Sequence, residues 1–274
     1  MSPGSVRVAI FLAGVQKSGT TSLASHMRAH PALQAPIVKE THHFDNESLD
    51  WSADNQAALA RFYSPHDTDR LRFDATPITI FWPPALERVR AHNPAAKLVI
   101  LFRDPIERAY SHWRMETRRG TETLPFSAAI REGRVRLSPD RPLDIHWRDR
   151  SYVERGFYGR QLQRALSMFP REQMLLLLSD DLRTNHQHTL ARLAAFLDIP
   201  PFGPVAPRLE HQSPAVPDLK RLTPEDHNHL QSVFAEDAQN FATLSGLNIQ
   251  HWNTMRGNKS PTPDAGNPRK TGAP

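Results

Sequence analysis

The segment that most constrains this chain lies close to its start. The apolar run Val6–Ala13 reads as a buried strand. It opens into Gly14-Val15-Gln16-Lys17-Ser18-Gly19-Thr20-Thr21-Ser22, where a helical pattern over Thr20–Ala29 begins. A small-residue turn between strand and helix makes an anion site, because the amides at a helix N-terminus point outward and the helix dipole favours negative charge. The bland alternative is a Ser/Thr-capped helix after a glycine turn. The glycine spacing matches the nucleotide phosphate loop, but that loop carries its lysine directly after the second glycine. Here Thr20 stands at that place and Lys17 lies two residues before Gly19. A lysine on the ascending limb can face the bridging oxygen of a phosphosulfate.

Further apolar runs of buried-strand type occur at Leu33–Ile37, Leu71–Asp74, Lys97–Phe102 and Gln173–Ser179. Helical patterns cover Pro84–His92, Pro105–Arg118, Phe126–Glu132, Gly156–Met168, Leu190–Leu197 and Pro224–Leu244. The alternation predicts an α/β fold, a P-loop-like three-layer sandwich with a central parallel sheet flanked by helices. The 274 residues are enough for one such domain, set at 1–252. From Asn253 the Pro/Gly/Lys-rich segment 253–274 reads as a disordered tail. Two long irregular stretches, Val135–Arg150 and Pro200–Pro217, read equally as functional lids and as surface excursions.

The net charge of +5 suits an anionic substrate, nucleic acid or an anionic membrane surface. The basic residues are scattered rather than interleaved with aromatics, so no nucleic-acid partner is expected. With no cysteine, disulfides, thiolate zinc sites and cysteine nucleophiles are excluded. His42 and His43 are adjacent and point apart in extended chain, so no metal site is expected. No apolar run approaches a membrane span and no signal-peptide pattern is present. The expectation is a cytoplasmic protein without a transmembrane segment, with peripheral membrane contact and oligomeric state left open.

A second basic strand end follows Leu98-Val99-Ile100-Leu101-Phe102, where Arg103-Asp104-Pro105 stands. Pro105 at the first helical position, Asp104 as N-cap and Glu107 in the first turn mark a helix start. Arg103 then lies at the C-terminal end of a strand, where open parallel sheets bind ligands. A guanidinium there can grip a phosphate with two hydrogen bonds. Capping accounts for Asp104 in full. Ser111, off the apolar stripe of Ile106, Tyr110 and Trp113, can add a hydroxyl.

Taken together, Lys17–Leu23 and Arg103–Ser111 resemble the family of sulfotransferases that use 3′-phosphoadenosine-5′-phosphosulfate (PAPS). The resemblance implies that Lys17, Ser18, Gly19, Thr20, Thr21 and Ser22 hold the 5′-phosphosulfate, and that Arg103 and Ser111 hold the 3′-phosphate. Lys39-Glu40-Thr41-His42-His43-Phe44-Asp45 is similar to the Lys-Glu-x-His-Phe-Phe-Asp stretch of the heparan-sulfate 3-O-sulfotransferases, their N-sulfotransferase-like branch and bacterial relatives. By position this implies Glu40 as catalytic base, helped by His42 and Asp45, with Lys17 stabilising the leaving group. Arg155-Gly156-Phe157-Tyr158 resembles the family's Gly-x-Tyr helix start, which implies Tyr158 near the adenine. Three features depart from the carbohydrate branch. Asp74-Ala75-Thr76-Pro77 stands where that branch has Glu-Lys before Ser/Thr, no Lys-Gly-Arg loop is clear around Pro207–Leu222, where Lys220-Arg221 is the nearest basic pair, and the Golgi members' membrane anchor is not seen.

The implied reaction is in-line transfer of a sulfuryl group from PAPS to a hydroxyl or amine, leaving PAP, with no metal required. The acceptor expected is a glycan, a glycolipid or a small metabolite. The residues alone leave two competitors. One is a P-loop kinase or NTPase, which needs its lysine after Gly19. The other is a non-catalytic module binding RNA or an anionic glycan.

Overall fold

The computed structural model describes residues 6–66, 69–137, 143–204 and 222–256. Five strands, β1 (Ile10–Gly14), β2 (Leu33–Gln34), β3 (Leu71–Asp74), β4 (Lys97–Phe102) and β5 (Met174–Leu178), form one parallel sheet in the order β2-β3-β1-β4-β5. The helices are α1 (Thr20–Ala29), α2 (Gln56–Ala60), α3 (Pro83–His92), α4 (Pro105–Arg119), α5 (Phe126–Ala129), α6 (Ile145–Arg150), α7 (Tyr158–Met168), α8 (Ser179–Thr184), α9 (His186–Leu197) and α10 (Pro224–Ser245).

Strand residues alternate between two cores, as a pleated sheet buried on both faces requires. Phe11, Leu98, Ile100, Phe102, Met174 and Leu176 pack with α3, α7 and α10. Ile10, Leu12, Val99, Leu101, Leu175 and Leu177 pack with α1, α8 and α9. The expected three-layer sandwich is therefore the observed one. A satellite cluster of Ile106, Trp113, Phe126, Tyr152 and Phe234 ties α4 to α5 and α10 beside the sheet.

The differences from expectation are local. The β2 run shrinks from Leu33–Ile37 to two residues, because Pro36 donates no ladder hydrogen bond and Ile37 and Val38 turn out to solvent. Helices α2, α6 and α8 were not anticipated, since five or six residues carry too little periodicity to register. The irregular stretch Val135–Arg150 ends in α6; its residues 138–142 lie outside the described residues, as do 205–217 of Pro200–Pro217 and the pair Lys220-Arg221. The described residues run past the expected boundary at 252, to Arg256. Thr254 is buried, and its backbone N–H and hydroxyl donate to Asp104 Oδ2 at 2.9 and 3.2 Å. Residues 257–274 of the expected tail lie outside the described residues. Among the described residues no helix is long and apolar enough to cross a membrane.

Sheet order places the site. From β1 the chain moves outward to β2, returns through β3, then crosses β1 to reach β4 and β5. The reversal opens a crevice at the carboxyl ends of β1 and β4, where such sheets bind ligands.

Candidate functional site

A cleft of about 1360 Å³ lies over those carboxyl ends. It is lined by the turn after β1, by Arg103 after β4, by Ser111 and Arg118 of α4, and by Lys39, Glu40 and His42.

The turn after β1 is shaped by its glycines. A Cβ at Gly14 would sit 2.5 Å from Ile80 Cγ2, so only glycine lets the two backbones approach. Gly19 has φ 95° and is the residue before α1, which aims the first amides of that helix into the cleft. Lys17 has φ 74°, a left-handed conformation costly for a non-glycine. Among the described residues two other non-glycines share that region: Asp198, which caps α9, and His42, on the opposite wall of the cleft. Strain of this kind collects where a side chain must be held in a set place.

The Lys17 ammonium lies 3.5 Å from Met115 Sδ. Burial, and then the Arg118, Arg119 and Arg103 guanidinium groups, pull its pKa down to about 8. Arg103 bridges the two strand ends. Its Nη1 donates to the Lys17 carbonyl at 3.4 Å, and its Nε and Nη2 donate to Glu107 Oε2 at 3.1 and 2.8 Å. Glu107 thus orients Arg103 instead of closing a capping box. Asp104 is the expected N-cap, accepting from the Ile106 and Glu107 amides at 2.9 and 3.2 Å.

The other wall is a charged relay on the loop after β2. Thr41 N–H donates to Thr76 Oγ1 at 3.1 Å and to Asp74 Oδ1 at 3.4 Å, which pins this loop above the end of β3. Glu40 contacts the Lys39 ammonium, and its Oε2 lies 3.4 Å from His42 Nε2. His42 Nδ1 donates to Asp45 Oδ2 at 2.8 Å. Asp45 is fully buried and also takes a hydrogen bond from Arg148 of α6. Burial opposes charge on His42, but the hydrogen bonds to Asp45 and Glu40 outweigh it and raise its pKa to about 9. Burial pushes the Glu40 carboxyl up, and His42 and Lys39 pull it down further, to about 2. At neutral pH the relay is an imidazolium between two carboxylates.

Of the expected site residues, Lys17, Gly19, Thr20, Thr21, Ser22, Glu40, His42, Arg103 and Ser111 all line this one cleft. Two take other parts. Ser18 borders the cleft, but its hydroxyl and amide both donate to the Val15 carbonyl, at 2.5 and 3.3 Å, so its donors close the turn instead of meeting a ligand. Tyr158 is buried among Phe102, Phe241 and Trp252 and does not line the cleft. Its hydroxyl donates to the Arg103 carbonyl at 2.9 Å, so it supports the strand end from below. Sequence reasoning assigned no role to Gln16, Arg148 or Arg155, all of which line the cleft. The one signal was Arg155 next to the Gly-x-Tyr motif.

The sequence model of the Sulfotransferase domain family matches residues 8–241. Human heparan sulfate glucosamine 3-O-sulfotransferase 3B1 is 28% identical over 187 residues, which is 68% of this chain and 45% of that protein. The human bifunctional heparan sulfate N-deacetylase/N-sulfotransferase 2 is 27% identical over 200 residues, 70% of this chain and 22% of that one. The match therefore spans less than half the length of these curated relatives. In fold, the chain is similar to the crystal structure of a sulfotransferase from Alicyclobacillus acidocaldarius, with TM-score 0.74 and 24% identity, covering 90% of this chain and 99% of that one.

Proposed function

We propose a function from the premise that this chain belongs to the sulfotransferase family: it transfers a sulfuryl group from PAPS to an acceptor hydroxyl or amine and releases PAP. The observation that carries the reading is the pairing, across one cleft, of a strained lysine at a helix N-terminus with a carboxylate–imidazolium relay. Arg103 and Ser111 fit the donor's 3′-phosphate, and Lys17 with the first amides of α1 fits its 5′-phosphosulfate.

The residues divide the reaction between them. The two walls hold acceptor oxygen, sulfur and leaving oxygen in line. The acceptor oxygen bonds to sulfur as the bond from sulfur to the 5′-phosphate oxygen breaks. Lys17 and the helix amides stabilise the charge that develops on the departing phosphate. Glu40 takes the acceptor proton. Its low pKa makes it a weak base towards a resting alcohol. It becomes sufficient late in the step, because bonding to sulfur makes the acceptor proton strongly acidic.

The acceptor class is a glycan, a glycolipid or a small metabolite. The Glu40–His42–Asp45 relay favours a glycan, the acceptor class that the curated relatives' names give for those proteins, while Ala75, directly after β3, stands where that branch has its lysine.

Two measurements test the donor assignment. Calorimetric titration is expected to show saturable binding of PAP and none of ATP–Mg at the same concentration; the opposite order moves the chain to the NTPase class. Lys17 acts only as an ammonium, and its pKa lies near 8. The value of kcat/KM, which reports groups of the free enzyme, is therefore expected to hold level through neutrality and fall as pH rises through about 8. A profile that stays flat well past that value removes the Lys17 charge from the mechanism.

A further inference from the structure

Two arginines from one short stretch of chain, Trp147 to Arg155, join the walls of the cleft. Arg148 reaches the base wall. It pairs with Asp45 Oδ2, and its Nη2 donates to the Asp45 backbone carbonyl at 2.8 Å, so it grips that residue by side chain and main chain together. Its guanidinium lies 4.8 Å from the Trp82 ring, which limits its swing. Arg155 reaches the donor wall. Its Nη1 donates to Gln16 Oε1 at 2.5 Å, next to Lys17 in the phosphate turn.

The two are locked to each other. Arg155 Nη2 donates to the Arg148 carbonyl, Arg155 Nε to Ser151 Oγ at 2.7 Å, and Ser151 Oγ in turn to the Trp147 carbonyl at 2.6 Å. A continuous path therefore runs from Glu40 through His42, Asp45, Arg148, Arg155 and Gln16 to Lys17. Arg155 is buried, and among the described residues its hydrogen bonds all end on neutral acceptors. Burying a cation without a carboxylate partner is costly, and a hydrocarbon side chain would fill the space more stably. Gln16 would then lose the one side-chain hydrogen bond that it makes to the opposite wall among the described residues.

We propose that Arg148 and Arg155 are positioning residues that form one brace, holding the donor turn and the base loop at a fixed spacing. This rests on the donor reading above, and adds to it that the two half-sites are mechanically coupled. Ordering of the Gln16–Ser22 turn by a ligand is transmitted to Lys39–Asp45, although PAP carries no sulfuryl group to reach that loop.

Amide hydrogen exchange with and without saturating PAP tests the brace without needing the acceptor. In the wild type, PAP is expected to slow exchange in Gln16–Ser22 directly, and in Lys39–Asp45 by roughly fivefold or more through the brace. Arg148→Met would take from the buried Asp45 charge one of its two cationic partners, leaving His42, and risks unfolding. Milder cuts are Gln16→Ala, Arg155→Lys and Arg148→Lys, since a lysine ammonium cannot span the two acceptors a guanidinium does. Each is expected to keep protection at Gln16–Ser22 and lose it at Lys39–Asp45, with exchange of the core strand β4 as in the wild type. Protection of Lys39–Asp45 that survives in all three variants overturns the brace, as does wild-type protection confined to Gln16–Ser22. In both outcomes the donor reading stands. No protection at either segment in the wild type overturns the donor reading and the brace with it.

Discussion

Lys17→Ala is expected to lower turnover at saturating PAPS by about 10³-fold, the scale seen when one preorganised donor to developing charge is removed. The size follows from where the charge appears. Negative charge builds on the leaving phosphate oxygen only as its bond to sulfur breaks, so Lys17 stabilises the transition state more than bound donor. PAP binding should weaken much less, because Arg103, Ser111 and the α1 amides remain. Unfolding is a poor explanation for the loss. Lys17 sits among Arg103, Arg118 and Arg119, which already pull its pKa down, so its removal relieves like-charge crowding. Thermal stability of the variant is expected to match or slightly exceed that of the wild type. Turnover near the wild-type level at saturating PAPS would show that another group stabilises the leaving phosphate.

What could be read from sequence divides along physical lines. The bounds of α1 and β4 and the N-cap Asp104 come from short-range rules that act within a few residues: a glycine turn, an apolar run, a proline at the first helical position. Lys17 and Arg103 were placed by strand ends, and parallel-sheet topology then brings those ends together. Tyr158 shows the limit of a motif. Whether a tyrosine at a Gly-x-Tyr helix start faces the cleft or lies beneath the strand end depends on α10 and Trp252, distant in sequence. Ser18 was counted among donor ligands by its place in the turn, whereas its own backbone geometry consumes the hydroxyl. Arg148 carries no local signal, and Arg155 only its place beside the Gly-x-Tyr motif. Arg148, in the irregular stretch Val135–Arg150, looks like a solvated charge until the chain folds Asp45 against it, and Arg155 shows its partner only once Gln16 is folded against it.

Glu40→Gln is expected to slow turnover by about 10²- to 10⁴-fold, the span of a lost general base, with PAP affinity nearly unchanged. Glutamine keeps the shape of the side chain and can still accept from His42, so the relay and its loop stay in place while the basic oxygen is lost. His42 is the rival base, and its surroundings argue against it. Hydrogen bonds to Asp45 and Glu40 overcome its burial and hold its pKa near 9, so at neutral pH it carries a proton on both nitrogens and has no lone pair to offer. In the proposed mechanism it aims Glu40. The two assignments differ in the sign of their pH dependence. With Glu40 as base, pKa about 2, the base is already ionised across the whole neutral range, and no rise in rate accompanies increasing alkalinity. With His42 as base, kcat climbs as pH rises through about 9, where the imidazole loses its proton. Unchanged turnover in Glu40→Gln, together with that climb, would pass the proton to His42 and leave Glu40 as the residue that positions it.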